Sequence, residues 1–440
     1  MGELANVVKI VSIILFVAIF AGIIARFLGQ NLPWHRAKTE RTTRIQRVKT
    51  YLKSFRARIG SQKTLRLVCF VFVLILATRL SILLFGYLGY VLRNNELPGI
   101  VASSRIIWER WDSSHYLWLA ENWYTNAGEE RLFIVFFPLY PLLIRLFRFV
   151  FPDYFLAGLM VSMVSLIVAC TYLYKLVQLD YSITVARKCV KWVLIFPYTF
   201  FLSLVFTESL FLALSVLCFY AMRQKRWVIA GIFGLLASLT RNFGFFLLIP
   251  FSIEYLQAVE LFGHVRKRTY QEIKKTFGQF LTGFGLIVLG IFLYLFLNRV
   301  VTGNWFCFLT YLREHWHQGF GFFAENIKNQ VIMVLTWKPV NRVALWIPQL
   351  FVLLLSLICL MGSLWQMRLS YVAYMFTLLF ISFSATWLLS APRYTTTMFP
   401  LYIFLAQLSQ RKILDEILTF FSLTMLCLYV LAYTWGMYVM

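Results

Sequence analysis

Five short polar groups interrupt an otherwise apolar chain, and each contains residue types that could act on a substrate. They are residues 111–116 (WDSSHY), residues 207–209 (TES), residues 240–242 (TRN), residues 302–306 (TGNWF) with His315 and His317, and residues 390–394 (SAPRY). A charged side chain within an apolar span is costly unless it faces a partner or a water-filled cavity. We therefore expect these groups to meet at one end of a helical bundle.

Asp112 is the candidate catalytic residue of the first group. It follows Trp111 and precedes an apolar stripe of helical spacing, formed by Tyr116, Leu119, Ala120 and Trp123. A carboxylate in that position could act as a general base on a hydroxyl group. Aspartate is also a good N-cap for a short surface helix. The residues leave both roles open.

Glu208, Arg241 and Arg393 are the other charged candidates. Glu208 interrupts the apolar residues 192–222, so it needs a cation, a hydroxyl group or water. Arg241 and Arg393 are expected at the same level as potential partners. The three residues could form a buried ion pair that fixes helix packing. Alternatively, an arginine could bind a phosphate leaving group, which suits the paired donors of a guanidinium.

His115, His315 and His317 raise the question of a metal ion. Their spacing matches no metal-ligand motif, and histidine near Trp and Tyr at a membrane interface more often forms ordinary hydrogen bonds. We therefore predict no cofactor, and no ligand motif supports a divalent metal.

The composition identifies the elements that must position these residues. Of 440 residues, 60% are hydrophobic and 14% are charged, and the mean hydropathy is +0.74. Apolar runs long enough to cross a bilayer as helices recur from end to end. We predict an all-α polytopic membrane protein with about twelve spans, in a range of about 10–13, and amphipathic helices in its first outer loop.

The net charge of +24 is explained by cytoplasmic loops rich in Lys and Arg, so we predict no nucleic-acid partner. Residues 1–66 are predicted to form an N-terminal span followed by a basic amphipathic segment, residues 34–66, that binds anionic lipids of the inner leaflet. Residues 67–440 are predicted to form one transmembrane unit, with outer loops at residues 93–153 and 299–342. Residues 133–151 are expected to form an interfacial or re-entrant helix pair, because treating them as a span would place later basic clusters outside. This topology puts all five polar groups on the outer face.

At these residues the sequence resembles the GPI mannosyltransferase 2 (PIG-V) family, membrane glycosyltransferases of the GT-C class, including its bacterial relatives. The matching elements lie in order between residues 67 and 400. They are residues 110–116 (RWDSSHY), 136–142 (FFPLYPL), 196–199 (FPYT), 207–211 (TESLF), Arg226 and Trp227 through Gly234, 237–241 (ASLTR), Gly244, 303–316, 392–394 (PRY) and 399–400 (FP).

The resemblance implies an inverting transfer of a sugar, most often mannose, from a polyprenyl-phosphate donor to a lipid or glycan acceptor hydroxyl outside the cytoplasm. Asp112 would be the catalytic carboxylate, and Ser113 stands where some GT-C enzymes carry a second metal-binding acid. The substrate-binding residues would be Trp111, His115, Tyr116, Glu208, Arg241, Asn242, Arg393 and Tyr394.

The main alternative is a transporter or flippase for a lipid or glycolipid, without chemistry. Transporters tend to hold their polar site at the midplane between internal repeats. No repeat is visible here, and the polar groups are assigned to one face, so the glycosyltransferase hypothesis is preferred. We expect a bacterial plasma membrane rather than the endoplasmic reticulum, since no retention signal is visible in residues 437–440.

Overall fold

The protein is described by a computed structural model that covers residues 2–31, 61–259 and 270–439. These residues form a bundle of α-helices. In chain order they are α1 (Gly2–Asn31), α2 (Ser61–Asn94), α3 (Ile100–Trp108), α4 (Asp112–Asn122), α5 (Leu139–Phe147), α6 (Tyr154–Val177), α7 (Ile183–Ile195), α8 (Glu208–Arg223), α9 (Trp227–Ser238), α10 (Leu248–Val259), α11 (Tyr270–Thr302), α12 (Cys307–His315), α13 (Phe323–Thr336), α14 (Ile347–Ser363), α15 (Leu369–Phe383), α16 (Ala391–Thr395), α17 (Phe399–Leu408) and α18 (Lys412–Thr434). No strand occurs in these ranges, and the β-pairing is one isolated bridge between Phe320 and Ala385.

The prediction of an all-α polytopic membrane protein is confirmed. Within the described ranges, seven helical segments are long and apolar enough to cross a membrane. They are Gly2–Gly29, Thr64–Asn94, Tyr154–Val177, Asn242–Val259, Lys274–Thr302, Pro339–Ser363 and Lys412–Thr434. Helices α9, α15 and α17 are apolar but shorter. Apart from residues 192–206, the expected spans coincide largely with helices, although several of these helices are too short to cross a bilayer alone.

The predicted span over residues 192–206 is not one continuous helix. Helix α7 ends at Ile195, Phe196 is extended, and a 3₁₀ turn then covers Thr199–Ser203. Pro197 explains the break, because proline lacks an N–H and disfavours helical geometry in the residue before it. Residues 133–151 do not form one long helix: they contain the end of the 3₁₀ turn Glu129–Val135 and the short helix α5.

Helices α6, α8, α9 and α11 pack against one another in that order. The contact between α9 and α11 is close because glycines face each other: a Cβ added at Gly231 would lie 2.4 Å from the Cα of Gly283. Elsewhere α1 packs against α13, and α18 packs against α2. Apolar side chains on α1, α2, α11 and α18 remain exposed, as lipid-facing surfaces of a membrane protein do.

Ion pairs hold one end of the bundle together. Arg223 at the end of α8 donates to both oxygens of Asp180, at 2.5 and 2.8 Å. Arg368 before α15 donates to both oxygens of Glu254, at 2.9 and 2.8 Å. Lys191 lies 2.7 Å from Asp415. This end, which we call the basic end, carries basic residues that the sequence assigns to the cytoplasm, namely Arg187, Lys188, Lys191, Arg223, Lys225 and Arg226.

Most of the predicted lipid-binding segment, residues 34–66, lies outside the described residues. Its last part, from Ser61, belongs to α2, so that helix begins earlier than the predicted span at residue 67. Residues 266–268 of the second basic cluster also lie outside the described ranges, whereas Lys274 and Lys275 are exposed residues of α11.

Candidate functional site

Four charged residues that are distant in sequence lie together at the end of the bundle opposite the basic end. Asp112 is the first residue of α4, and Glu208 is the first residue of α8. Arg241 has an extended backbone and lies three residues after the end of α9, and Arg393 lies in the short helix α16. Because each residue lies at or near the end of a helix, its side chain can leave the packed helix faces and meet the others.

The four side chains form a continuous chain of contacts, which we call the four-charge cluster. Arg393 Nη2 donates to Asp112 Oδ2 at 2.8 Å. The Nε atom of the same arginine lies 3.1 Å from Glu208 Oε1. Arg241 Nη1 donates to that glutamate oxygen at 2.5 Å and to Thr207 Oγ1 at 3.1 Å. Glu208 is thus shared by both arginines.

The cluster is buried and balanced in charge. The side chains of Glu208, Arg393 and Arg241 are 1%, 6% and 10% exposed, whereas Asp112 is 21% exposed. Two carboxylates face two guanidinium groups, so the formal charge is zero. Buried charges need such pairing because removal from water is costly. Asp112 is the member that solvent or a substrate can reach most easily.

Several polar atoms around the cluster have no hydrogen-bond partner among the described residues. They are Arg393 Nη1, Glu208 Oε2, Ser113 Oγ, His115 Nδ1 and Ser209 Oγ. Asp112 Oδ1 also has no partner there, since the aspartate contacts Arg393 through Oδ2. Buried polar atoms normally find partners, so this concentration of free donors and acceptors is the expected feature of a binding site. Asp112 is not an N-cap: Trp111 occupies that position, and no side-chain cap bond is present.

Aromatic rings surround both arginines. The Arg241 guanidinium lies 4.7 Å from the ring centre of Tyr394 and 5.6 Å from that of Phe243. The Arg393 guanidinium lies 5.1 Å from the ring of Phe206. Cation–π contacts of this kind hold the guanidinium planes in place while excluding water.

Tyr116 and His115 lie on α4, outside the membrane-spanning helices, next to Asp112. Burial raises the pKa of Tyr116, and the negative charge of Asp112 raises it further, so the phenol stays protonated. Burial lowers the pKa of His115, although Asp112 opposes this effect. The imidazole stacks on Phe136 at 5.2 Å and meets the edge of Phe133 at 4.5 Å. His115 is therefore a packed, neutral residue rather than the hydrogen-bonded surface residue that its type suggested.

This environment predicts a pH dependence. The folded-state pKa of His115 lies below its ordinary value of about 6.5. As the pH falls below that value, the unfolded chain binds a proton that the folded chain resists, so stability is lost on acidification. We expect the melting temperature of wild type to fall more steeply from about pH 7 to about pH 5 than that of His115→Phe. His317→Phe, which changes an exposed residue, should keep the wild-type slope, and equal slopes for wild type and His115→Phe would contradict the prediction.

Three sequence-predicted elements are not part of the cluster. Asn242 is exposed, and its side-chain oxygen accepts from the backbone N–H of Phe243. Trp111 packs edge-on against Tyr433 with ring centres 4.9 Å apart, so it supports the loop rather than the charges. His315 and His317 are exposed. The segment that follows residues 302–306 comes near α4 through Trp316, whose ring centre is 6.1 Å from that of Phe136, the ring on which His115 stacks. In the described part of the chain, no group of three His, Cys, Asp or Glu residues could hold a metal ion.

The end of α18 fixes the loop that carries Asp112. Tyr433 donates from its hydroxyl to the carbonyl of Trp108 at 3.0 Å. Arg110 Nη2 donates to the carbonyl of Thr434 at 3.1 Å. Trp435 Nε1 donates to the carbonyl of Gly89 at 3.0 Å. We call these contacts the C-terminal staple.

Sequence reasoning missed Arg79. This buried residue of α2 donates to the carbonyls of Thr199 and Leu194 at 2.9 and 3.1 Å. It therefore supports the break after α7, from which Phe201 and Phe206 reach Arg393. Its position in the middle of an apolar run was the available signal, because an arginine within a span requires a polar partner.

The fold and the site define a polytopic all-α membrane protein with a buried, charge-balanced polar site at one end of its bundle. Over 254 residues the chain is 25% identical to GPI mannosyltransferase 2 of Schizosaccharomyces pombe, and the alignment covers 53% of each protein. The chain thus spans about half the length of the curated relative that it matches. No family model matches it.

Proposed function

We propose that this chain is a membrane mannosyltransferase that transfers the sugar from a polyprenyl-phosphate donor to an acceptor hydroxyl, with inversion at the anomeric carbon. The observation that carries the proposal is the four-charge cluster, in which Asp112 is the accessible member and Oδ1 is free to accept a proton. The similarity to a GPI mannosyltransferase supports the choice of sugar. The acceptor is a lipid or a glycan.

In the proposed reaction, the acceptor hydroxyl oxygen attacks the anomeric carbon while its proton moves to Asp112 Oδ1. The bond between the anomeric carbon and the phosphate oxygen breaks, and the electron pair leaves with the phosphate. Because one displacement occurs, the configuration inverts. A rigid cluster would contribute to catalysis by holding the donor and the acceptor next to Asp112, the proposed base, in a fixed orientation.

The charge balance of the cluster would change in step with this reaction. With Asp112 ionised the four groups sum to zero, and with Asp112 protonated they sum to one positive charge. That charge appears as the leaving phosphate becomes more negative, and Arg393 Nη1 is a free donor for it. In this proposal the two arginines stabilise the leaving phosphate, and no metal ion or cofactor is needed for that role.

We further propose that the site faces the non-cytoplasmic side, as part of a GT-C-type catalytic unit over residues 67–440. The separation of the cluster from the basic end supports this orientation, since cytoplasmic loops collect Lys and Arg. A site at the membrane edge would let an isoprenoid tail stay in lipid while the sugar meets the acceptor in water. A bacterial plasma membrane is the proposed location, and the endoplasmic reticulum is the alternative.

The test is to incubate membranes containing the protein with labelled polyprenyl-phosphate mannose and to identify products by mass spectrometry. We expect a new mannoside that is absent from membranes lacking the protein, and we expect EDTA to leave its formation intact. Counterflow of the lipid in proteoliposomes without a new glycosidic product would instead support a flippase and overturn the proposal.

A further inference from the structure

A second group of unpartnered polar atoms lies outside the four-charge cluster, on α13, on α14 and at the residue directly before α14. They are Trp346 Nε1, Gln349 Oε1 and Nε2, Ser356 Oγ and Gln330 Oε1, and none has a hydrogen-bond partner among the described residues. All four side chains are at most 4% exposed. A buried amide with no partner for either atom is costly, so a polar ligand or water is the expected occupant.

These residues lie on adjacent segments. Gln349 and Ser356 are seven residues apart on one face of α14, and Trp346 directly precedes that helix, three residues before Gln349. That helix packs against α13, α15 and α16. On α13, Gln330 lies one turn after Asn326, whose side chain donates to the carbonyl of Phe383 at the end of α15. Helices α13 and α14 pack against each other and both pack against α15, so the unpartnered atoms lie on neighbouring helices.

The backbone is irregular at the same place. Arg342–Trp346 forms a π-helical turn directly before α14. Pro348 accounts for it, because proline cannot donate a hydrogen bond back to the carbonyl of Ala344. Such π turns occur frequently at functional sites.

Three tryptophans lie beside the amides. The ring centre of Trp346 is 5.4 Å from that of Trp337 and 5.7 Å from that of Trp387. Trp337 and Trp387 are half-buried, so a ligand can reach their ring faces. Arg393 lies six positions after Trp387 in the sequence, so their Cα atoms can be at most about 20 Å apart. The tryptophan group thus lies within the length of a few sugar rings of the four-charge cluster.

The charge of the region restricts the ligand. Glu325 is the sole carboxylate of residues 323–363, and it is paired with Lys9 and Lys328. Lys338 is exposed, and Arg342 is half-buried. Within residues 323–363 a phosphate group would find no buried Lys or Arg side chain. A lipid tail would leave the buried amides without hydrogen-bond partners. A neutral ring with several hydroxyl groups satisfies donors and acceptors together, and its C–H faces fit flat indole rings.

We propose that Trp346, Gln349 and Gln330, with Trp337 and Trp387 beside them, form a subsite for one uncharged sugar ring. Assigning that ring to the acceptor, at a distance from the reacting hydroxyl, rests on the proposed function. The amides fix the hydroxyl groups of the ring, and the indoles pack against its faces.

The experiment uses the full chain in lipid nanodiscs that contain no sugar-based detergent. Methyl glycosides of mannose, glucose, galactose and N-acetylglucosamine are titrated, and binding is followed by tryptophan fluorescence and calorimetry, with mannose 6-phosphate as the charged comparison. We expect at least one neutral glycoside to bind and mannose 6-phosphate to bind much more weakly. Gln349→Leu should weaken glycoside binding about tenfold, which corresponds to about 1.4 kcal/mol.

Gln407→Leu is the matched control, because Gln407 of α17 also has an unpartnered amide nitrogen but contacts Tyr181 at the basic end. It should bind as wild type does. In the transfer assay Gln349→Leu should raise the acceptor KM with kcat unchanged.

Asp112→Asn should keep full glycoside binding, which separates the subsite from the reaction. If transfer proves absent but Gln349→Leu still loses binding, the proposed function fails and the subsite stands. The subsite is overturned if no glycoside binds, if Gln407→Leu loses as much affinity as Gln349→Leu, or if Gln349→Leu raises the melting temperature with binding unchanged.

Discussion

Asp112→Asn is expected to lower kcat for sugar transfer by about 10²–10⁴-fold, because the variant keeps the shape of the side chain but removes the group that accepts the proton. The pair with Arg393 holds Oδ2, so the missing function is that of the free oxygen, Oδ1. The measurement is the initial rate of formation of the labelled product in proteoliposomes, with donor and acceptor varied separately.

Asp153→Asn is the matched control. Asp153 belongs to the same polar loop, is exposed, and caps α6 by accepting a hydrogen bond from the N–H of Leu156 at 2.8 Å. Asparagine caps helices about as well as aspartate, so this variant should retain wild-type activity. An Asp112→Asn enzyme that folds and works within a few-fold of the Asp153→Asn enzyme would remove Asp112 from the role of base.

Glu208→Leu is expected to lower the free energy of unfolding by about 3–5 kcal/mol, because it leaves two guanidinium groups with a single carboxylate in a buried site. Arg241 would lose its carboxylate, and Arg393 would keep only Asp112. The effect is measured as the loss of folded protein on titration with denaturant in lipid nanodiscs.

Two further variants show whether charge is the cause. The double variant Glu208→Leu/Arg241→Leu removes both members of a pair and leaves Arg393 with Asp112, so it should recover part of the lost stability. Glu416→Leu is the surface control: Glu416 is 66% exposed and lies 3.9 Å from Lys412, so its loss should leave the unfolding curve unchanged. Equal destabilisation by the single and double variants would show that Glu208 matters through packing instead.

The fold could be predicted well from the sequence because one physical property dominates it. Apolar runs of sufficient length predict helices in a bilayer almost independently of context. The prediction failed where local backbone chemistry matters, as at Pro197 between α7 and its 3₁₀ turn. The span that contains α14 was predicted correctly, but the π-helical turn at its start, before Pro348, was not. The start of α2 at Ser61 was also missed, because polar residues can extend a helix beyond the bilayer.

The site could be predicted in part. Glu208, Arg241 and Arg393 were recognised because a charged side chain within an apolar span must be compensated. That rule identifies the charged residues without identifying the residue that each one contacts. Which arginine contacts which carboxylate depends on tertiary packing and could not be read from spacing. Asn242 was included because it is adjacent to Arg241, although its side chain instead bonds the local backbone. Gln330 and Gln349 were not predicted as site residues, because a single uncharged amide does not distinguish itself in a hydropathy pattern.

The C-terminal staple has a consequence for the order in which the protein folds during synthesis. The loop that carries Asp112 leaves the ribosome well before its tether, because Tyr433 lies 325 residues after Trp108 and Thr434 lies 324 residues after Arg110. A nascent chain therefore holds Asp112 on an untethered loop until α18 has been inserted. Copies that lack α18 would leave the Asp112 side of the four-charge cluster without this tether, so the cluster is fixed only after α18 is in place.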